Sequence, residues 1–154
     1  MFKSRRGALR KGLLGLPVWL FRIRLGFLAG KGFICIVHEG RTSGTIYFTP
    51  VEVIYRDRTA NEYYAVSARG KRSDWYRNVK KYPATAVYIG SRRRQVNQRI
   101  VPFDEAIAAM QIYEQKHPKA AAAMLELAGV GGDSGTLAWR SAMEVLPMVA
   151  FQPR

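Results

Sequence analysis

The fold is limited most strongly by a series of short apolar and β-branched segments that fills most of the chain between residues 33 and 101. Short polar turns connect most of these segments. Turns of that length join antiparallel neighbours, because parallel neighbours need a crossover of about a dozen residues or more. The pattern therefore predicts an antiparallel barrel or sandwich. The predicted strands are residues 33–38, 46–56, 62–67, 84–89, 92–101 and 144–151.

Helices are predicted at three places in residues 31–154. Ser73 can cap a helix that has Asp74 in its first turn and Trp75, Val79 and Tyr82 on its apolar face, and Pro83 ends it. After Pro102, the spacing of Phe103, Ile107, Met110 and Tyr113 predicts a second helix. An Ala-rich helix follows from about Pro118 to Gly129, and residues 130–136 are predicted to be a glycine-rich connecting loop. In the strand at 46–56, Pro50 predicts a bulge or an edge position.

The first 31 residues contain eight Lys and Arg residues and no acidic residue. Residues 8–29 are predicted to form a basic, largely apolar helix. Its uncharged stretch is too short to span a bilayer, since Arg22 and Arg24 interrupt it. Two interpretations stay open: a helix on the membrane surface, or a helix that packs on the barrel. We therefore expect a helical segment at 1–30 and one domain at 31–154.

The whole chain has 25 Lys and Arg residues against 11 Asp and Glu residues, a formal net charge of +14. Such a charge attracts polyanions, which include nucleic acid, an anionic membrane face and a phosphorylated coenzyme. Cys35 is the single cysteine, so no internal disulfide can form. It is predicted to be a small buried residue of a cytoplasmic protein, with peripheral contact to the inner face of the cell membrane as the alternative.

Several common chemistries have no motif in this sequence. His38 and His117 are the only histidines, and no Cys, His and Asp residues have metal-ligand spacing, so we predict no metal site. His38 is predicted to be a turn residue and His117 a residue at a helix end. Gly-x-Ser-x-Gly, Walker and Gly-x-Gly-x-x-Gly motifs are missing. Hydrolysis and nicotinamide-dependent chemistry are therefore poorly supported.

Two loops remain as candidates for binding an anion. One is Gly40-Arg41-Thr42-Ser43-Gly44, and the other runs from Ser67 through Gly70 and Lys71 to the predicted helix start at Asp74. Glycines allow backbone N–H groups to approach a ligand closely, and a helix N-terminus favours an anion. On this evidence alone, solvated basic loops beside a capped helix are the better interpretation.

The combined pattern resembles the deazaflavin-dependent nitroreductase and quinone reductase family. The segments that carry the resemblance are residues 40–44, 48–53, 66–78 and 87–93, and Ser73-Asp74-Trp75-Tyr76-Arg77-Asn78 is the most specific run. The resemblance implies an α+β, mainly β fold, a split β-barrel like that of FMN-binding proteins. It also implies coenzyme F420, rather than FMN, and hydride transfer from F420H2 to an organic acceptor such as a quinone, a nitro compound or another activated alkene.

The resemblance also implies which residues bind the coenzyme. One group meets its anionic side, a second lies along the ring, a third wraps the ring and phosphate, and the last fixes the helix against that loop. In that order they are Arg41, Thr42, Ser43 and Gly44; Pro50, Val51 and Glu52; Ser67, Ala68, Arg69, Gly70 and Lys71; and Trp75 and Asn78. Ser67 is also expected to bond a substrate oxygen, and Tyr113 is the candidate at the acceptor site.

Two other function classes are weighed against the reductase. One is a binding module of the same fold that holds FMN, haem or a fatty acid without turnover. It is favoured by Thr42, which stands where many relatives have Lys. The other is a nucleic-acid-binding protein, which the net charge supports but which lacks any known reading motif. The sequence predicts neither the oligomeric state nor the physiological acceptor.

Overall fold

A computed structural model of the protein describes residues 32–131 and 134–154. The helix predicted at 8–29 and its two interpretations lie outside the described residues. The described part of the chain has α+β architecture, in which a curled antiparallel sheet forms a half-barrel and helices cover it. The predicted α+β split-barrel class is therefore confirmed. No helix among the described residues is long and apolar enough to cross a membrane.

The sheet has seven described strands in the order β2-β1-β5-β6-β7-β4-β3, and every neighbouring pair is antiparallel. Their bounds are β1 Phe33–Glu39, β2 Ile46–Glu52, β3 Tyr55–Asp57, β4 Glu62–Val66, β5 Ala86–Ile89, β6 Arg92–Ile100 and β7 Met148–Pro153. The predicted hairpin through Gly90 and Ser91 joins β5 to β6. Gly90 has a φ of +58°, a conformation that glycine adopts without a Cβ clash.

Four α-helices are described: α1 Asp74–Lys81, α2 Phe103–Lys116, α3 Pro118–Leu127 and α4 Thr136–Val145. A short 3₁₀ helix, Gly70–Arg72, precedes α1. Helix α4 was not predicted, and the last strand, predicted at 144–151, lies at Met148–Pro153. The side chains of α4 that pack inward include Ala138, Trp139 and Ala142. Its N-cap residue is Gly135, at the end of a glycine-rich segment, so no side-chain cap marks the start of this helix.

The strand predicted at 46–56 is two strands. β2 pairs with β1 up to Glu52, with Pro50 opposite Cys35, and the chain then changes partner. The N–H of Val53 donates to the carbonyl of Gly32 (2.7 Å), and that of Ile54 donates to the carbonyl of Tyr64 (2.8 Å). The side-chain alternation continues through this change, so the sequence pattern does not show it. β2 ends the described sheet, which agrees with the edge position predicted from Pro50.

Two hydrophobic cores lie on opposite faces of the sheet, since successive residues of β4 and β7 belong to one core and then to the other. The barrel core packs β1, β5 and β7 against α1, with Ile36, Val79 and Phe151 at its centre. The helical core packs α2, α3 and α4 against β4 and β7, around Met110 and Trp139. The fold therefore has a barrel side and a helical side, and strands β4 and β7 lie between them.

Three side chains differ from their predicted places. His38 is not a turn residue: it lies in β1 and is 2% exposed. Tyr82 does not belong to the apolar face of α1, since it lies one residue beyond the helix and is 42% exposed, while Tyr76 and Val79 are buried there. Phe103, the first residue of α2, lies largely at the surface. Cys35 is fully buried as predicted, and burial raises the pKa of its thiol to about 12.

Candidate functional site

A cleft of about 620 Å³ opens between the β1–β2 loop, strand β2, the β4–α1 loop and α3. Its walls come from both cores: Val51 and Trp75 belong to the barrel core, and Ile54 and Met124 belong to the helical core. Its rim is polar and carries the cations of Arg41 and Arg69. The lining residues are His38, Gly40, Arg41, Thr42, Ser43, Tyr47, Thr49, Pro50, Val51, Glu52, Ile54, Val66, Ala68, Arg69, Ser73, Asp74, Trp75, Asn78 and Met124.

The β1–β2 loop is tight and depends on two glycines. The N–H of Gly40 donates to the carbonyl of Thr45 (2.7 Å), and that of Gly44 donates to the carbonyl of Gly40 (2.9 Å). Gly44 has a φ of +69°. A Cβ on Gly40 would lie 2.6 Å from the hydroxyl of Ser43, which is too close for any larger residue without a shift. The loop therefore presents Arg41, Thr42 and Ser43 in one fixed turn at the cleft.

Arg41 is held by side chains of α1. Its backbone N–H (3.1 Å) and its Nη1 (2.9 Å) both donate to Oδ1 of Asn78, which is 3% exposed. Its Nη2 donates to Oδ1 of Asp74 at 3.1 Å, and Nζ of Lys81 donates to its carbonyl oxygen at 3.3 Å. The guanidinium is thereby positioned at the cleft before any ligand arrives, which lowers the entropy lost on binding an anion.

His38 lies on the cleft wall between β2 and α1. Its Nε2 is 2.8 Å from the hydroxyl of Thr49, and its Nδ1 is 3.2 Å from Nδ2 of Asn78. The ring stacks on Tyr47, with 5.7 Å between ring centroids. Burial lowers the pKa of His38 to about 4, although the nearby carboxylate of Asp74 opposes the shift. His38 is therefore neutral at physiological pH and takes part in a hydrogen-bonded network rather than in the charge of the rim.

The β4–α1 loop closes the cleft on the other side. The hydroxyl of Ser67 donates to the carbonyl of Gly70 at 2.7 Å, and the N–H of Ser67 donates to the carbonyl of Pro147 at 2.9 Å. Gly70 has a φ of +74°, and a Cβ there would lie 3.0 Å from the carbonyl of Val145. These contacts fix Ala68 and Arg69 at the cleft. Ser73 occupies the N-cap position of α1, and its side chain makes no capping hydrogen bond.

Helix α2 is joined to strand β2 by one side-chain hydrogen bond. The hydroxyl of Tyr113 on α2 donates to Oε1 of Glu52 at 2.8 Å, and its ring lies 4.9 Å from that of His117. Burial, together with this bond to a carboxylate, raises the pKa of Tyr113 above its usual value. The phenol therefore stays protonated and holds the Glu52 carboxylate at the edge of the cleft. Among the described residues, no three His, Cys, Asp or Glu residues are grouped as metal ligands.

Most of the predicted coenzyme residues meet in this cleft. Ten line it: Arg41, Thr42, Ser43, Pro50, Val51, Glu52, Ala68, Arg69, Trp75 and Asn78. Gly44, Ser67 and Gly70 lie behind it and shape its two loops. Lys71 lies elsewhere, in a neighbouring basic depression that also includes Arg41 and Lys80. Ser67 is fully buried and its hydroxyl is bonded within the loop, so this structure does not bring it to the cleft.

Other lining residues were not predicted. His38 and Thr49 are diagonal neighbours on β1 and β2, a contact that depends on strand register and has no local sequence signal. Three further lining residues come from the helical side: Ile54, Val66 and Met124. The strand pattern of the sequence does not predict which loops lie next to these residues in the fold. Tyr47 was predicted only as part of a strand face, and Asp74 only as part of a helix start. Both residues line the cleft.

A family model described as F420H2-dependent quinone reductase matches residues 26–125, about two thirds of the chain. This protein belongs to the F420H2-dependent quinone reductase family. It is an F420H2-dependent oxidoreductase, and its coenzyme is F420. The search of curated proteins found no match.

Solved structures show the same fold at low sequence identity. One described as an F420-H2 dependent reductase (FDR-A) has a TM-score of 0.54 at 17% identity, covering 79% of this chain and 95% of its own. One described as a domain-swapped dimer has a TM-score of 0.53 at 16% identity, covering 88% and 99%. A pyridoxamine 5'-phosphate oxidase-related, FMN-binding protein from Nostoc punctiforme has a TM-score of 0.50 at 12% identity, covering 99% and 81%.

The cleft of this reductase fits a planar, phosphate-bearing coenzyme. Its apolar walls, Val51, Trp75 and Ile54, suit a flat ring, and its rim offers Arg41, Arg69 and the close-packed turn at Gly40 to an anion. When bound, the reduced deazaflavin supplies the hydride, so the protein needs to provide orientation and electrostatics only.

Proposed function

We propose that the cleft binds F420 and that the acceptor is a quinone or a similar flat, apolar compound. The observation that supports this proposal is that one cleft has a cationic rim on the barrel side and an apolar wall on the helical side. The rim suits the anionic part of the coenzyme, and the wall suits an acceptor that must lie against the ring.

The barrel side supplies the proposed coenzyme contacts. Arg41, Thr42 and Ser43 meet the anionic part, since Arg41 is already held in place by Asn78 and Asp74. Pro50, Val51 and Glu52 lie along the ring. Ala68 and Arg69 contact the ring and phosphate, with Ser67 and Gly70 holding the loop from behind, while Trp75 and Asn78 fix α1 against it. Gly44 has the same supporting role in the first loop, and Lys71 adds positive potential from outside the cleft.

The helical side supplies the proposed acceptor contacts. Ile54, Val66 and Met124 are apolar side chains at the cleft, and they do not offer the charged groups that a polar acceptor needs. Glu52 also lines the cleft, and its carboxylate accepts a hydrogen bond from the buried phenol of Tyr113. In the proposed function, these residues exclude water and orient the acceptor. Nitro compounds and other activated alkenes are alternative acceptors for the same wall.

A titration with F420, followed by its fluorescence, tests the proposed site. Arg41→Ala is expected to weaken binding about 10-fold or more, because it removes a positioned charge from the rim. Arg93→Ala removes an exposed arginine from β6, outside the cleft lining, and is expected to leave the affinity unchanged. FMN serves as the competing ligand. Preferential binding of FMN, haem or a fatty acid would instead support the alternative of a binding module of this fold.

Membrane contact through residues 1–30 remains a prediction, and it rests on the eight basic residues in the first 31 positions. The full chain is expected to float with vesicles that contain phosphatidylglycerol and not with vesicles of phosphatidylcholine alone. Flotation that is independent of the anionic lipid, or no flotation at all, contradicts it.

A further inference from the structure

We propose that His38 is a positioning residue, which fixes the Thr49 hydroxyl as a hydrogen-bond donor for an acceptor atom of the bound coenzyme. This inference rests on the proposed function, in which F420 occupies the cleft that Thr49 lines. It concerns three side chains in contact: Asn78 on α1, His38 on β1 and Thr49 on β2.

The orientation of the Asn78 amide follows from the hydrogen bonds that it makes to Arg41 and to His38. Its Oδ1 accepts two hydrogen bonds from Arg41, from the backbone N–H at 3.1 Å and from Nη1 at 2.9 Å. Both partners can only donate, so the oxygen must face Arg41. The amide nitrogen then faces His38 and donates to Nδ1 at 3.2 Å.

The tautomer of His38 follows from that orientation. A neutral imidazole has one donor nitrogen and one acceptor nitrogen, and Nδ1 is the acceptor here. Nε2 therefore carries the proton and donates to Oγ1 of Thr49 at 2.8 Å. The imidazole is 2% exposed and stays neutral, which keeps this arrangement intact at physiological pH.

The consequence falls on Thr49. A free hydroxyl rotates, but here one of the two lone pairs of the oxygen accepts from His38, so the hydroxyl proton is directed away from His38. That proton is left to be donated, and the side chain lies at the cleft wall. The site thereby offers an oriented donor to a ligand atom that accepts, such as a ring nitrogen, a carbonyl oxygen or a phosphate oxygen. The same chain of bonds holds Arg41, so His38 orders two donors at once.

Coenzyme affinity tests the inference, measured by F420 fluorescence on the full chain. Thr49→Val is expected to weaken binding about 3- to 10-fold, the size of one lost hydrogen bond. Thr49→Ser keeps the hydroxyl and is expected to restore most of the affinity. Thr136→Val removes a threonine hydroxyl that bonds Gln111 on the helical side, and it is the matched control.

A double-mutant cycle separates positioning from general destabilisation. His38→Phe is expected to weaken F420 binding about 10-fold or more, and Thr49→Val added to it is expected to have little further effect. Effects of the two substitutions that multiply would mean that Thr49 donates without help from His38, and they would overturn the proposal. His117→Phe is the matched histidine control, since it leaves this network untouched.

The tautomer can be read without any variant. Nitrogen chemical shifts of the His38 ring in labelled wild-type protein are expected to show a protonated Nε2 and an unprotonated Nδ1. The opposite tautomer overturns the inference even if His38→Phe does not fold. Failure of the wild-type protein to bind F420 would refute the proposed function instead. Normal wild-type binding with an unchanged affinity in Thr49→Val refutes only the role of His38 and Thr49.

Discussion

Arg41 and Asn78 are 37 positions apart in the sequence, and one oxygen of Asn78 accepts both the backbone N–H and the Nη1 of Arg41. The bond from the backbone fixes the loop, and the bond from the guanidinium fixes the side chain. A buried amide on α1 therefore sets the position of the cleft rim, and the β1–β2 loop cannot move without breaking bonds to the helix.

Asn78→Ala is expected to damage both stability and binding. It removes a buried amide and leaves Arg41 and His38 without their hydrogen-bond partner. This loss lowers the free energy of unfolding by about 2 kcal/mol. F420 affinity falls in the same variant because Arg41 is released. Urea denaturation and fluorescence titration measure the two effects. Asn97→Ala, on the exposed part of β6, is the control and is expected to change neither.

Asp74→Asn is expected to strengthen coenzyme binding. Asp74 lies at the cleft and accepts a hydrogen bond from Nη2 of Arg41, so its negative charge offsets the rim. Without it, F420 binds about 2- to 3-fold more tightly at low salt, and the gain shrinks at high salt because the charges are screened. Asp104→Asn removes a similar acid from the first turn of α2 and should leave the affinity unchanged. Weaker binding in Asp74→Asn contradicts an anion at this rim.

Gly70→Ala is expected to disturb the β4–α1 loop, while the same change at Gly129 serves as a matched control. Both residues have a positive φ, +74° and +78°, so each substitution costs about 1 kcal/mol from backbone strain. At Gly70 a Cβ also meets the carbonyl of Val145 at 3.0 Å, whereas nothing lies within 4 Å at Gly129. Only Gly70→Ala should lower F420 affinity. Equal effects on binding from both substitutions would count against a role for this loop.

Stability is expected to rise with pH because of His38. Its pKa is about 4 in the folded protein against 6.5 for an unperturbed histidine, so the unfolded chain binds the extra proton between these values. Asp74 and Arg41 are the charged groups at the cleft beside it. Stability is full above about pH 7 and is lost as the pH falls through 6 toward 4, by about 2 kcal/mol at pH 5. His38→Phe should remove this dependence, as urea denaturation at pH 7 and pH 5 will show.

Much of the barrel could be predicted from local pattern alone. The apolar run of β1, the turn at Gly90 and the stop at Pro83 each act within a few residues, so β1, the β5–β6 hairpin and α1 were predicted within one or two residues at most of their bounds. α4 was missed because it starts after Gly135 in a glycine-rich segment, without a side-chain cap that would mark its start. The partner change at Val53 was missed because strand alternation is the same whichever strand lies alongside.

For the site residues too, what could be predicted depended on how far apart the contacting residues lie in the sequence. The loop residues Arg41 and Arg69 were predicted from the family resemblance, because the glycines and basic residues beside them favoured only solvated loops when taken alone. The His38–Thr49 contact was not predicted, because it depends on the register of β1 against β2, which makes these two residues diagonal neighbours on the sheet. Ser67 was expected to bond a substrate oxygen. It is buried instead, and its hydroxyl donates to the carbonyl of Gly70 within the same loop.

The cleft lies on the seam between two separately packed cores, and Glu52 with Tyr113 is a direct side-chain bond across it. Substitutions on α3 can therefore reshape one wall while the opposite wall keeps its arginine, its glycine turn and its buried amide. A protein built in this way can exchange the compound it reduces through changes confined to its helices, and keep its source of electrons throughout.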